Sequence, residues 1–533
     1  MNASTPPRAG RREWIGLAVL ALACEVYAMD LTVLHLAVPR LSAELKPSSV
    51  QLLWIIDIYG FLVAGSLITM GTLGDHIGRR KLLLMGAAAF SMASVIAAFS
   101  SSARMLIVSR GLMGFAGATL APSTLSLIFN MFLDPRQRSV AVGVWISGFS
   151  AGSAIGPVLG GVLLEYFWWG SVFLLALPVM VLLLVLGPRV LPEFRDPEAG
   201  PLDLRSATMS LAAVLAVIYG LKEIAQDGFR WVPALSIPAG LAVGVLFMRR
   251  QLTLADPMID VRLFRIPAFS AALATNVLGV FVAVGYFLFI AQYLQLVLGL
   301  SPLEAGLWSL PSAAGFIVGS NVAPRFLHRL QPAFVVGASL ALSAVGLVML
   351  LWVGVSSGLA VLVTASVVIS LALSPMFNLT TELIVGSAPP ERAGAAAGIS
   401  ETGAELGGAL GISILGSIGT AVYRNGLAAG LPDGVSSEVA EVARNTLGGA
   451  VSVAGQLPEP LALVLLAAAR GAFVQGLHLV AAISAAIAIA AAIVGVLVLR
   501  RVPAGSQADG QPDLDAATAT IIALDQQEDR YAA

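Results

Sequence analysis

Residues 143–161 read GVWISGFSAGSAIGPVLGG. They lie inside an apolar run, 140–164, that reaches the roughly 20 residues a helix needs to cross a bilayer. Gly148, Gly152, Gly156 and Gly160 recur every four residues, which puts them on one slowly drifting helix face. A face without side chains lets a neighbouring helix backbone approach closely, a packing device of membrane helices. Pro157 removes one internal hydrogen bond and is expected to bend the helix.

Composition points the same way. The chain is 58% hydrophobic and 11% charged, where a soluble domain carries about 25% charged residues. An all-α integral membrane protein follows. One cysteine, Cys24, excludes an internal disulfide and a cysteine metal cluster, and the four histidines lack metal-ligand spacing. Neither a metal nor a cofactor is expected. A net charge of −1 offers nothing to nucleic acid. Arg8, Arg11 and Arg12 precede a long apolar run with no small-residue cleavage site, so the first span reads as retained.

Fourteen apolar runs are long enough to span: 14–38, 50–72, 82–100, 105–131, 140–164, 169–190, 206–222, 232–248, 268–298, 303–325, 333–353, 357–386, 393–423 and 471–499. An even number puts both termini on one side. By alternate loops, that side holds 21 of the 30 lysines and arginines and the other holds eight, with Arg110 inside a span. The bias predicts both termini in the cytoplasm. The order is six spans, an added pair, then six. It divides the chain into a cytoplasmic start (1–13), a first half (14–190), a linker with the extra pair (191–267), a second half (268–499) and a disordered cytoplasmic tail (500–533). The second half carries an outer loop, 424–470. There Ser436–Thr446 is expected to form an amphipathic helix capped by Ser436 or Ser437. Pro458 and Pro460 are expected to break the chain, leaving Leu461–Ala469 as an apolar piece leaning on the membrane.

Ionisable residues inside spans are costly to bury and mark functional sites by default. Asp30, Asp57 and Arg110 fall at similar depth in the outer half of their spans. One cation and two acids could share a polar layer, in which the arginine keeps one carboxylate charged and the other trades a proton for a cationic substrate. Arg110 itself reads equally as a structural latch or a proton-relay partner. Glu401 and Glu405 are four residues apart on one helix face, where two acids can share a proton. Glu25 lies five residues before Asp30, roughly 140° round the helix, and a direct role is open. Aromatic residues crowd the ninth span (Phe281, Tyr286, Phe287, Phe289, Tyr293), with Tyr27, Trp54, Tyr59 and Trp145 elsewhere. They suit a cation's pocket or a lipid contact equally well.

Two further stretches carry a pattern. Residues 71–81, GTLGDHIGRRK, have glycines for a tight turn, an acid that can meet a helix N-terminus or an arginine of the other half, and basic anchors. They resemble the G-x-L-x-D-x-x-G-R-[RK] signature between spans 2 and 3 of the major facilitator superfamily. Residues 106–114, LIVSRGLMG, resemble that superfamily's L-x-x-x-R-x-x-Q-G motif, with Met113 in place of glutamine. The opening stretch is similar to the antiporter motif of its drug exporters, G-x8-G-x3-G-P-x2-G-G, matched at Gly143, Gly152, Gly156, Pro157, Gly160 and Gly161.

The resemblance implies a major facilitator fold of fourteen transmembrane helices arranged 6+2+6, with a site near the midplane between the halves. It is to the branch of drug:proton antiporters that export quaternary ammonium compounds, dyes and other lipophilic cations. In that branch Gly71, Asp75, Gly78, Arg79 and Arg80 would serve conformational switching. Asp30, Asp57, Glu401 and Glu405 would serve cation recognition or proton coupling. The partners implied are lipophilic cations, protons and membrane lipids, for a monomer in a bacterial inner membrane. With no G-x-x-x-x-G-K-[ST] motif the expected driver is the proton gradient, not ATP. Export of a self-made antibiotic or lipid, and a nutrient symporter on the same fold, stay open. A membrane-embedded enzyme would need a clustered nucleophile or metal site, which the sequence does not show.

Overall fold

The computed structural model describes residues 8–195, 203–254, 257–327, 331–356, 358–387, 393–432 and 434–500. Residues 501–533 of the tail expected at 500–533, and the first seven residues, lie outside them. The first half comprises α1 (Arg11–Leu45), α2 (Ser49–Ile77), α3 (Arg79–Ala98), α4 (Ala103–Gly117), α5 (Leu120–Met131), α6 (Pro135–Tyr166), α7 (Ser171–Leu174) and α8 (Leu177–Val190). The added pair is α9 (Leu204–Asp227) and α10 (Trp231–Thr253). The second half comprises α11 (Pro267–Gln292), α12 (Pro302–Leu307), α13 (Leu310–Leu327), α14 (Pro332–Met349), α15 (Leu359–Gly386) and α16 (Ala393–Gly430). Two short helices follow, α17 (Ser437–Asn445) and α18 (Leu447–Ala454), and then α19 (Glu459–Leu499). We call the face at Arg11 the near face and the face at Leu45 the far face.

Three expected spans are each broken into two helices, and proline is the reason. A proline removes the bond to the carbonyl four residues before it and crowds that carbonyl. Pro178 acts on Leu174, the last residue of α7, and Pro311 on Leu307, the last of α12. Pro122 acts on Ala118, just past the end of α4. Pro157 does not break α6, which runs through it unbroken.

Twelve helices among the described residues are long and apolar enough to cross a membrane. The expected spans at 140–164 and 303–325 fall outside those twelve. The first, α6, is one continuous helix whose described part includes the apolar stretch Ile155–Tyr166. The second comprises α12 and α13.

The glycine face of α6 packs on α1. A Cβ built on Gly148 would stand 2.9 Å from the Ala21 carbonyl oxygen, and one on Gly160 would stand 2.7 Å from Val33 Cγ1. At Gly152 it would overlap the Glu25 carbonyl, and at Gly156 the Thr32 hydroxyl. Gly161 turns instead to the second half, where its Cβ would stand 2.7 Å from the Pro302 carbonyl oxygen. Gly306 of α12 returns the contact against the carbonyl of Pro157. A Cβ on Gly143, at the near end, meets nothing within 4 Å. That glycine belongs to the motif's spacing but not to the α1–α6 packing.

The halves meet toward the far face. Along the seam between α2 and α16, a Cβ on Gly60 would lie 3.6 Å from the Ala409 Cβ, and one on Gly416 would lie 2.7 Å from Leu53 Cδ2. Toward the near face, Gly386 and Gly398 have open space where a Cβ would point. The far loop caps the closed end. Ser436 caps α17 by accepting from the Val439 amide, the Ser49 hydroxyl donates to the Asn445 carbonyl at 2.7 Å, and Gly448 lies against Ser42. One expectation fails here: Pro460 does not break the chain. It sits in the first turn of α19, where a missing amide costs nothing. Leu461–Ala469 is therefore part of one 41-residue helix. At 1.5 Å per residue that is about 60 Å, roughly twice the hydrocarbon thickness.

On the near face, Asp203 caps α9 and holds α10. It accepts from the Ser206 amide at 3.1 Å and pairs with Arg250 at 3.0 Å. Burial disfavours its charge, but the Ser206 hydroxyl, the Arg250 guanidinium and the Ser206 amide outweigh that and hold the carboxyl down at about 2. A depressed carboxyl stabilises the fold above its unfolded value and loses that effect only as pH falls through about 2. The latch is therefore constant across physiological pH.

The α1–α6 contact makes a direct prediction. Gly152→Leu forces a side chain into the Glu25 carbonyl and should destabilise by about 1–3 kcal/mol or more, whereas Gly143→Ala should leave the thermal midpoint in detergent unchanged. Equal midpoints for the two variants would contradict this packing.

Candidate functional site

Five charged residues of the spans gather beside the contact between the halves: Arg110 and Asp30 paired within the first half, and Asp57, Glu401 and Glu405 at or next to the seam. Arg110 on α4 is 1% exposed. Its Nη1 donates to Asp30 Oδ2 on α1 at 2.6 Å. Its Nε reaches the Ile55 carbonyl on α2 at 3.4 Å, and the guanidinium carbon lies 4.6 Å from the centre of the Tyr59 ring. Phe173 flanks it at 5.8 Å. The side chain that sterics admit here is set by Gly114, whose missing Cβ leaves room for the Tyr59 carbonyl.

The other acids face across the halves. Glu405 Oε1 on α16 accepts from the Tyr27 hydroxyl on α1 at 2.6 Å, and the Tyr27 and Tyr59 rings are 6.1 Å apart. Asp57 on α2 is 1% exposed and accepts from the Ser413 hydroxyl on α16 at 2.7 Å. A row of groups therefore runs from Glu405 through Tyr27 and Tyr59 to Arg110 and Asp30. Glu401, one turn from Glu405, lines a cavity of ≈ 10 Å³ with Cys24, Tyr27, Thr124 and Trp145. That is about the room of one water.

Glu25 does not join this group. Its carbonyl backs onto Gly152, and its half-buried side chain makes no hydrogen bond or ion pair among the described residues. The aromatics divide. Tyr27, Tyr59 and Trp145 turn to the acids and the cavity. Tyr293 donates to the Gly354 carbonyl at 2.6 Å and Phe289 packs on Phe473, so these two hold the second half together.

At the near face, Gly78 joins α2 to α3 with φ +110°, a conformation that favours glycine. Its turn is clasped by the segment after α8. The Arg80 amide donates to Glu193 Oε1 at 3.1 Å, the Arg80 guanidinium reaches the Leu191 carbonyl at 3.0 Å, and the Arg79 amide donates to the Phe194 carbonyl at 2.9 Å. A Cβ on Gly71 would touch Pro122 of α5 at 3.9 Å. The side chain of Asp75 lies outside the described residues. Three partners escaped the sequence reading. Ser413 could have been found, because it is two turns along α16 from Glu405. Tyr27 reads in the sequence only as an aromatic ring. Glu193 gives no signal beyond being an acid in a basic region.

The chain matches the description Major Facilitator Superfamily over residues 20–412. It belongs to the major facilitator superfamily. Among its relatives in this superfamily, the multidrug efflux pump LfrA of Mycolicibacterium smegmatis is 42% identical, covering 93% of this chain and 98% of that one. The methyl viologen resistance protein SmvA of Salmonella typhimurium is 36% identical, covering 89% and 95%. The tetracenomycin C resistance and export protein of Streptomyces glaucescens is 30% identical, covering 92% and 93%. The fold matches a bacterial homologue of the human lysosomal transporter Spinster, inward-facing and unoccupied, with a TM-score of 0.63 at 17% identity over 92% of this chain and 98% of that one. This is a superfamily of transporters, and the chain is a multi-pass membrane protein.

The buried pair gives a prediction. Arg110→Gln strands the Asp30 carboxylate and should cost about 3–5 kcal/mol of stability. Adding Asp30→Asn should then cost far less than the sum of the two single losses, read from thermal unfolding in detergent. Additive losses would contradict the pairing.

Proposed function

We propose that this protein is a proton-driven exporter of lipophilic cations, working by alternating access. The observation that carries the reading is the placing of the carboxylates. Glu405 and Asp57 each bond across the contact between the halves, and among the described residues no cation pairs with Glu405. The names of the relatives, which are efflux pumps and resistance proteins, support the same reading.

In this reading all fourteen expected spans cross, α6 and the α12–α13 pair included. The near face is cytoplasmic, as the positive charges require, and the protein is a monomer in a bacterial inner membrane. With the far face closed, a cationic drug enters from the cytoplasm or inner leaflet and displaces protons from Glu405 and Glu401. Closing the near face breaks the Tyr27–Glu405 and Ser413–Asp57 bonds. Protons from outside then take the carboxylates and release the drug. Asp30 stays paired with Arg110 as the fixed end of the row. The turn at Gly78, Arg79 and Arg80, with Gly71 and Asp75, switches the near face. The glycine–proline stretch of α6 keeps α1 and α12 in close contact. One-for-one exchange of a monovalent cation against a proton moves no net charge. It forgoes the roughly 2.3 kcal/mol per charge per 100 mV of the membrane potential and draws on the pH gradient alone. No enzymatic step is required.

Everted vesicles test this directly. Ethidium uptake driven by an imposed pH gradient should fall severely in Asp57→Asn and Glu405→Gln at normal membrane levels of protein, and Asp30→Asn should transport poorly as well. Wild-type rates and an unchanged pH response in all three would overturn the reading.

A further inference from the structure

The segment that follows α8 lies across the turn between α2 and α3 and bonds to both helices. Arg195 donates from Nε to the carbonyl of Ile77, the last residue of α2, at 3.1 Å. The Phe194 carbonyl accepts from the Arg79 amide at 2.9 Å, and Glu193 Oε1 accepts from the Arg80 amide at 3.1 Å. Those are the first two amides of α3, which find no acceptor inside their own helix. Gly78 precedes α3 and offers it no side-chain cap. Glu193 supplies that cap from another part of the chain, with the charge that suits a helix N-terminus. Its carboxylate also occupies the place where a Cβ on Gly78 would point.

The segment is anchored at its root. Leu191 is fully buried, and a Cβ on Gly16 of α1 would stand 3.3 Å from its Cδ2. The Leu191 and Pro188 carbonyls accept from Arg80 Nη1 at 3.0 Å and 3.4 Å. Arg80 Nε lies 3.4 Å from Glu193 Oε2, with the two side chains 29% and 33% exposed. An ion pair so open to water contributes little by itself. Together these bonds turn the guanidinium into the first half. Beyond residues 196–202, which lie outside the described residues, the same chain enters α9. There Leu211 fills the notch left by Gly65 on α2, where a Cβ would lie 2.7 Å from Leu211 Cδ1. Ile218 is fully buried against Phe61 of α2 and Ala409 of α16, so that α9 sits over the seam. The linker is thus fastened to α2 at both of its ends.

We propose that Glu193 is a positioning residue for the near-face switch: by capping α3 it makes the turn at residues 77–80 move as one piece with the near end of α8 in every state of the cycle. Arg80 then acts inside the first half and not across to the second. This rests on the reading that the halves rock about a central site.

The test uses the full chain with Cys24→Ala. Glu193→Ala removes the cap, whereas Glu193→Gln keeps an oxygen for the Arg80 amide and loses only the charge. In everted vesicles Glu193→Ala should lower the maximal rate of ethidium uptake roughly fivefold, the equivalent of about one net hydrogen bond, with the KM for ethidium unchanged. Glu193→Gln should stay within about twofold of the parent. Equal losses in the two variants would overturn the cap. Lys81, Arg189 and Gln331 are exposed and take spin labels as cysteines. The Lys81–Arg189 distance reports the clamp, and the Lys81–Gln331 distance reports the two halves. The first should be the same with and without saturating tetraphenylphosphonium, at acid and at alkaline pH, and should broaden in Glu193→Ala. The second should change with ligand and pH. A first distance that follows the ligand in the parent, or that Glu193→Ala leaves unaltered, would overturn the proposal. If the second distance never changes, the rocking reading fails, and the first distance in Glu193→Ala still decides the clamp.

Discussion

A guanidinium enclosed by hydrocarbon must find a carboxylate, and the arrangement of this protein's first half follows from that requirement. Arg110 is almost wholly buried and meets Asp30 at 2.6 Å. Satisfying both partners ties α1 to α4, and the Ile55 carbonyl and the Tyr59 ring tie α2 to the same point. A charge pair in so dry a place contributes little net stability while intact, and breaking it is expensive. Its effect is to fix three helices in one register, which leaves the remaining acids in fixed positions at the seam.

Those acids look across to the other half. Tyr27 reaches Glu405 and Ser413 reaches Asp57, and both bonds belong to the arrangement in which the far face is closed. Glycines set how closely the helices approach, at Gly148, Gly152, Gly156 and Gly160 between α1 and α6, and at Gly161 and Gly306 between the halves. Packing and polar bonding thus converge on the same contact. A rocking motion has to remake both together.

Most of the fold was legible in the sequence because hydrocarbon leaves the backbone few choices. Long apolar runs become helices, and the glycine spacing named the face of α6 that meets α1. What was not legible came from contacts between distant residues. The sequence put Asp30, Asp57 and Arg110 at one depth, but only the fold shows Arg110 choosing Asp30 while Ser413 turns Asp57 toward α16. Glu25, offset by about 140° from Asp30, makes no bond to that group among the described residues. The breaks at Pro122, Pro178 and Pro311 were not legible, since Pro39, Pro157, Pro238 and Pro375 sit inside continuous helices, and the continuity of α19 past Pro460 depends on where that helix starts. The position of α9 over the seam left no sequence signature, because Leu211 and Ile218 look like any lipid-facing pair.

The central claim is that the seam carboxylates exchange hydrogen ions for a greasy cation at one place. It is tested most directly by titrating purified protein with tetraphenylphosphonium in weakly buffered detergent and following a pH indicator. The account predicts proton release on binding, diminished in Glu405→Gln. Tight binding with no proton release at any pH would contradict it.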